Sequence, residues 1–118
     1  SGGALIIGSD TLLYRLVFNL VENAIRYSRP GSTVNVSICD NDSHVFLRVE
    51  DQGPGIPKQY RESIFQPFFR LDKSRSRAYG GAGLGLALVW EIAALHGGTV
   101  EVEASSEDGT TMLVSLPK

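Results

Sequence analysis

Between Leu13 and Ile25, the residues Leu13, Leu16, Val17, Leu20, Val21, Ala24 and Ile25 recur at intervals of three and four, the period of a helix with one face on a core. A helix this long with one apolar face must be covered by a sheet or by other helices, so it constrains every other element. Its opposite stripe reads Arg15, Asn19, Glu22, Asn23, Arg26. Asparagine competes for backbone hydrogen bonds and lowers helix propensity, so two of them one turn apart in mid-helix point to a shared ligand. Paired carboxamide oxygens suit a hard cation such as Mg²⁺, which takes few protein ligands and completes its shell with water and phosphate oxygens. Arg26 then stands where it can meet phosphates.

The remaining pattern mixes helices with hairpin strands. Ala4 to Ile7 reads as a short strand, and Ser9 or Asp10 caps the long helix, which Arg29-Pro30-Gly31 stops after Ser28. Thr33–Cys39 and His44–Glu50 alternate around an Asp40–Ser43 turn, which predicts a hairpin. A short helix is expected from Pro57 to about Ser63, a loop over Arg70–Gly81, and a second long helix over Gly83–Leu95 ended by His96-Gly97-Gly98. In that helix Trp90 and the stripe Leu86, Leu88, Val89, Ile92, Leu95 read as core. Two more strands follow, Thr99–Ala104 and Thr110–Leu116. Because helices and hairpins do not strictly alternate, the expected class is α+β: a two-layer α/β sandwich whose mixed, mainly antiparallel sheet of about five strands is covered on one face by about three helices.

With 118 residues, the chain suffices for one domain with a core of its own. Cys39 is the only cysteine, which excludes an internal disulfide or a zinc cluster and favours a reduced setting. No apolar run approaches the roughly 20 residues of a membrane span. A net charge of −2 argues against a nucleic-acid binder that must neutralise phosphates. Six bases (Lys58, Arg61, Arg70, Lys73, Arg75, Arg77) nevertheless meet only two acids (Glu62, Asp72) between positions 58 and 77. That local excess suits an anionic ligand.

Two glycine-rich segments supply further candidates. Asp51-Gln-Gly53-Pro-Gly55 follows a strand, where a carboxylate can point into a pocket and glycines permit close backbone approach. A buried carboxylate there accepts the exocyclic amine of adenine and rejects the carbonyl of guanine. An unpaired buried acceptor costs roughly 1–3 kcal/mol, enough for about ten- to hundredfold discrimination. Gly80-Gly81-Ala82-Gly83-Leu84-Gly85 precedes a helix, whose N–H groups and dipole favour phosphate. It is neither a Walker loop nor a dinucleotide fingerprint, since no Gly-Lys-Ser/Thr follows and Leu86 stands where the third glycine belongs.

Together these segments resemble the sensor histidine kinases. Asn19–Tyr27 is similar to the family's N box, Asp51–Gly55 to its G1 box, Phe65-Gln-Pro-Phe68 to its F box and Gly81–Leu86 to its G2 box, in the same order and spacing. His96-Gly97-Gly98 and the stretch from Gly109-Thr110 to Leu116-Pro117 resemble the family's closing segments, so the likeness runs from about Gly8 to Pro117.

The resemblance implies a single catalytic domain of the Bergerat ATP-binding fold shared with gyrase, heat-shock chaperone and mismatch-repair ATPases. By position, Asn19 and Asn23 hold Mg²⁺, Arg26 reaches the phosphates, Tyr27 faces adenine and Asp51 reads its amine. Gly53 and Gly55 make room for the base, with Ile56 beside them, and Thr110 lies behind the adenine. Gly81, Gly83, Leu84, Gly85 and Leu86 line the nucleotide, while residues 70–82 form an ATP lid with Arg70 and Arg75 as phosphate contacts. Phe65, Phe68 and Phe69 anchor that lid or meet a partner helix. Arg26 replaces a more usual lysine, and Met112 a more usual aromatic.

Asn19 separates the branches of this superfamily. Its amide has no basicity where the gyrase-like and serine-kinase branches carry a glutamate, whereas Glu22 can at most polarise an incoming imidazole. Phosphoryl transfer to histidine fits better than hydrolysis. Neither His44 nor His96 has the acidic follower of the family's acceptor, so that histidine is expected on separate dimerisation helices, with a response regulator downstream. The expected setting is the cytoplasmic end of a dimeric sensor anchored in the bacterial inner membrane, with the isolated domain monomeric. A gyrase- or chaperone-like ATPase and a nucleotide-sensing docking module are the alternatives.

Overall fold

The computed structural model describes residues 8–69 and 85–118. The first helix, α1, runs Asp10–Tyr27 and begins as its sequence implies: Ser9 is the N-cap, its hydroxyl accepting the Leu12 N–H at 3.3 Å, and Ser28 closes the other end. Leu16, Leu20 and Ala24 face the interior. Strands β1 (Asn35–Asp40) and β2 (His44–Asp51) form the expected hairpin, whose turn is organised by Asn41 Oδ1 accepting the N–H groups of Ser43 and His44.

Helix α2 (Gly85–Leu95) and strands β3 (Thr99–Ser106) and β4 (Gly109–Pro117) complete the described elements. The sheet has the order β1-β2-β4-β3, every pairing antiparallel. It has four strands among the described residues, one fewer than expected; the candidate strand Ala4–Ile7 lies outside them. The helix expected from Pro57 is two separate 3₁₀ turns, Lys58–Tyr60 and Ser63–Phe65. Seven residues are too few to offset α-helix nucleation, and Arg61 between the turns is drawn aside to bond backbone carbonyls.

Alternate residues of the sheet, Leu47, Val49, Val100, Met112, Val114 and Leu116, join Leu16, Leu20, Val89 and Ile92 in one core. α1 and α2 pack on each other and over β2, β3 and β4. The helices are antiparallel neighbours bolted at one end by His96: its Nδ1 meets the Ile92 carbonyl at 2.8 Å, and its Nε2 accepts the Ser9 N–H at 3.2 Å. A helix N-terminal donor that would otherwise be orphaned is thereby satisfied.

The reading of Trp90 and Leu95 as core is corrected. Trp90 is 49% and Leu95 73% exposed, because α2 turns Val89, Ile92 and Ala93 to the interior and leaves these two on its outer side. Trp90 instead packs its ring on Phe65, centroids 5.5 Å apart. A segment this short and apolar carries no polar stripe to mark its outer face.

Candidate active site

The last residue of β2 is the centre of the site. Asp51 is buried, and its Oδ1 accepts the Gly53 N–H at 2.9 Å and the Thr110 N–H at 3.3 Å. Thr110 is its cross-strand partner on β4, so the sheet register itself brings the two together. Burial pushes the Asp51 carboxyl above the usual carboxylate range, and the two N–H bonds pull only partly against it. Both hydrogen bonds to described residues use Oδ1, which leaves Oδ2 for an incoming donor.

Glycines hold the loop after Asp51 close to its neighbours. A Cβ on Gly53 would collide with the Tyr27 carbonyl, one on Gly55 with the Ser106 carbonyl, and one on Gly109 with the Asp51 carbonyl. Gly55 also has φ +83°, a conformation that side chains resist. The close approach that demands these glycines is to the chain's own backbone, where the sequence suggests room for a base. Ile56 follows, half-buried against the core, its N–H on Ser105 Oγ at 2.8 Å. Tyr27, exposed at the end of α1, brings its carbonyl against Gly53.

On α1 the two asparagines of the polar stripe are half-buried and Arg15 is exposed. Asn19 donates through Nδ2 to the Arg15 carbonyl at 2.7 Å, which frees Oδ1 as an acceptor. That oxygen lies at the start of α2, 3.4 Å from where a Cβ of Gly85 would stand. Asn23 is half-buried one turn on, without a side-chain hydrogen bond to another described residue. Glu22 and Arg26 form a 3.0 Å ion pair at i, i+4. Leu86, the second residue of α2, packs against the core.

The structure thus collects Tyr27, Asp51, Gly53, Gly55, Ile56 and Thr110 around one loop and the Asn19 carboxamide beside the N-terminus of α2. Arg70, Arg75, Gly81, Gly83 and Leu84 lie outside the described residues. Of the F-box phenylalanines, Phe65 is buried and Phe68 is exposed at φ +64°, while the following Phe69 packs on Tyr60.

Residues 8–118 match the family described as histidine kinase-, DNA gyrase B-, and HSP90-like ATPase. This chain belongs to that family. Within it, the chain is similar to the sensor-like histidine kinase SenX3 of Mycobacterium tuberculosis, with 45% identity over 112 residues, 95% of this chain and 27% of that protein. Among solved structures it resembles the mycobacterial sensor histidine kinase MprB at 38% identity and TM-score 0.82, covering 95% of this chain and 74% of the other. It also resembles full-length ShkA in complex with AMPPNP, at 30% identity and TM-score 0.78, covering 90% of this chain and 21% of that one. The chain therefore is a histidine-kinase-type ATPase domain, and it spans about a quarter of the length of the SenX3 relative it matches.

Sequence reading missed Ser105, Arg61 and Arg29. Arg29 bonds the Gln52 carbonyl at 3.0 Å and the Glu107 carbonyl at 2.6 Å, tying the loop after Asp51 to the β3–β4 turn. Nothing in their local pattern marks these residues, because Arg29 and Arg61 donate to carbonyls of remote segments and Ser105 accepts the N–H of remote Ile56.

Proposed function

We propose that this domain binds Mg-ATP and donates its γ-phosphoryl group to a histidine on separate dimerisation helices of the same protein. The observation that carries this reading is the Asn19 side chain, whose NH₂ is committed to the Arg15 carbonyl and whose free oxygen is a ligand atom without basicity. Glu22, the nearest carboxylate on that helix face, is occupied by Arg26. An amide cannot take a proton from water, whereas a neutral imidazole nitrogen is a nucleophile without such help.

The donor set fits the proposed ligands. Asn19 Oδ1 and the Asn23 carboxamide offer oxygens to Mg²⁺, which neutralises charge on the phosphates and draws them into line. The helix α2 N-terminus at Gly85 presents N–H groups to anionic oxygens. Asp51 Oδ2 takes the adenine amine. Arg26 reaches the phosphates by leaving an exposed pair with Glu22, at a cost of about 0.3–0.5 kcal/mol. Residues 70–82, with Arg70 and Arg75, act as a cationic lid over the nucleotide, with Gly81, Gly83 and Leu84 lining the phosphates.

The chain forms one domain, monomeric when isolated. Its partners are the acceptor helices and, through them, a response regulator, within a homodimeric parent anchored in the bacterial inner membrane whose cytoplasmic part this is. No helix among the described residues is long and apolar enough to cross a membrane. His96 is unsuited as the acceptor, since both ring nitrogens are occupied in joining α1 to α2.

The test is to mix the domain with separately prepared acceptor helices and γ-labelled ATP. Acid-labile label on histidine is expected. Release of inorganic phosphate without labelled histidine would favour an ATPase clamp, and nucleotide binding without either would favour a docking module.

A further inference from the structure

We propose that Ser105 is a positioning residue for base recognition, fixing the direction of the Thr110 hydroxyl proton and holding the Gly53–Ile56 loop on the β3–β4 hairpin. The proposal rests on reading the pocket at Asp51 as an ATP site.

A β-bulge places the residue. Pairing between β3 and β4 runs Val102↔Met112, then resumes one residue out of step at Ala104↔Thr111 and Ser105↔Thr110, with Glu103 left over. In unbroken register Ser105 would lie opposite Gly109, on the other face of the sheet. The extra residue turns Ser105 to the side of Thr110 and Asp51, and Glu103 is held outside by a two-pronged pair with Arg48, at 2.8 and 3.0 Å.

Hydrogen-bond accounting then gives a polarity. Ser105 Oγ accepts the Ile56 N–H at 2.8 Å and lies 2.8 Å from Thr110 Oγ1. Two hydroxyls hold two protons, and one of them closes their mutual bond. Because Ser105 Oγ already accepts an N–H, its own O–H is the more polarised donor, so Ser105 donates and Thr110 accepts. The Thr110 proton remains, on a buried side chain whose backbone N–H is on Asp51. Arg61 secures the same junction from outside, donating to the Ile56 carbonyl at 3.2 Å and the Ser105 carbonyl at 3.1 Å.

Asp51 as acceptor and the Thr110 O–H as donor match the edge of adenine, which offers the 6-amino donor beside the N1 acceptor. Guanine presents the reverse, a carbonyl beside N1–H, so both groups would be mispaired. The second half of this reading depends on Ser105 and reaches N1 directly or through one water.

The experiment compares ATP with 1-deaza-ATP, which keeps the amine and lacks the N1 acceptor, by calorimetry with Mg²⁺ on the wild-type chain, Ser105→Ala and Ser105→Thr. The wild type and Ser105→Thr should prefer ATP by about tenfold, the value of one buried hydrogen bond. In Ser105→Ala the preference should fall to within about twofold. A role in structure alone would weaken both nucleotides equally and leave the ratio intact, which would overturn the proposal. Should Ser105→Ala not fold, the wild-type ratio still decides: a value near one overturns it. Failure of the wild type to bind either nucleotide would instead refute the ATP reading beneath it.

Discussion

Thr110 donates its backbone N–H to Asp51 Oδ1 at 3.3 Å across the β2–β4 pairing, so a residue near the chain's end fixes the carboxylate that the G1 segment supplies. One oxygen of Asp51 serves the fold and the other is spare for a ligand. The division makes the residue separable by mutation, since an amide can replace the first role and not the second.

Asp51→Asn should weaken ATP binding about ten- to hundredfold, because the amide presents N–H to the adenine amine. Stability should behave differently. The folded carboxyl is raised above its unfolded value by burial, so the folded state holds its proton to higher pH. As pH rises through the interval between the usual carboxylate value and the raised one, this group costs the fold stability, and the full cost applies above that interval. The uncharged variant escapes it. Its melting temperature at neutral pH should equal or exceed that of the wild type, with the difference closing as pH falls toward about 4. A neutral-pH melting temperature well below wild type would contradict this assignment.

Gly55→Ala should cost more than about 2 kcal/mol, from a positive φ and a collision of the new Cβ with the Ser106 carbonyl. Gly31→Ala is the control: its φ is +81° with open space around it, so only the conformational part applies, about 1 kcal/mol. Chemical denaturation of both variants measures the difference.

Asn23→Ala should remove the Mg²⁺-dependent part of nucleotide affinity while leaving thermal stability within about 0.5 kcal/mol, since its side chain bonds no described residue. Titrating ATP with and without Mg²⁺ reads this directly: the two affinities, different in the wild type, should converge. Persistent Mg²⁺ enhancement would remove Asn23 from the metal site.

Glu22→Gln should leave stability within about 0.5 kcal/mol, because its pair with Arg26 is exposed. ATP affinity should hold or rise, as Arg26 is released toward the phosphates. Arg26→Lys should retain labelling of the acceptor histidine if the charge alone matters. A large loss would show that the planar guanidinium is required.

The legible part of this fold is what local pattern encodes. The caps of α1, the alternation of β2 and the turn at Asn41 each read directly from neighbouring residues, while the cross-strand pairing of Asp51 with Thr110 came only with the sheet register. Long-range facts were hidden. That Gly53 and Gly55 abut the chain's own carbonyls, that a bulge at Glu103 turns Ser105 inward and that Arg29 and Arg61 clasp remote backbone all depend on tertiary contact. Trp90 misled for a related reason, since an 11-residue apolar helix shows no polar side to separate its inner from its outer face.

Calorimetric titration of the folded domain with ATP and with GTP, both in Mg²⁺, tests the central claim most directly. One-to-one uptake of ATP is expected, at least about tenfold tighter than GTP because Asp51 accepts the adenine amine. Absence of ATP uptake by demonstrably folded protein, or equal uptake of the two nucleotides, would contradict it.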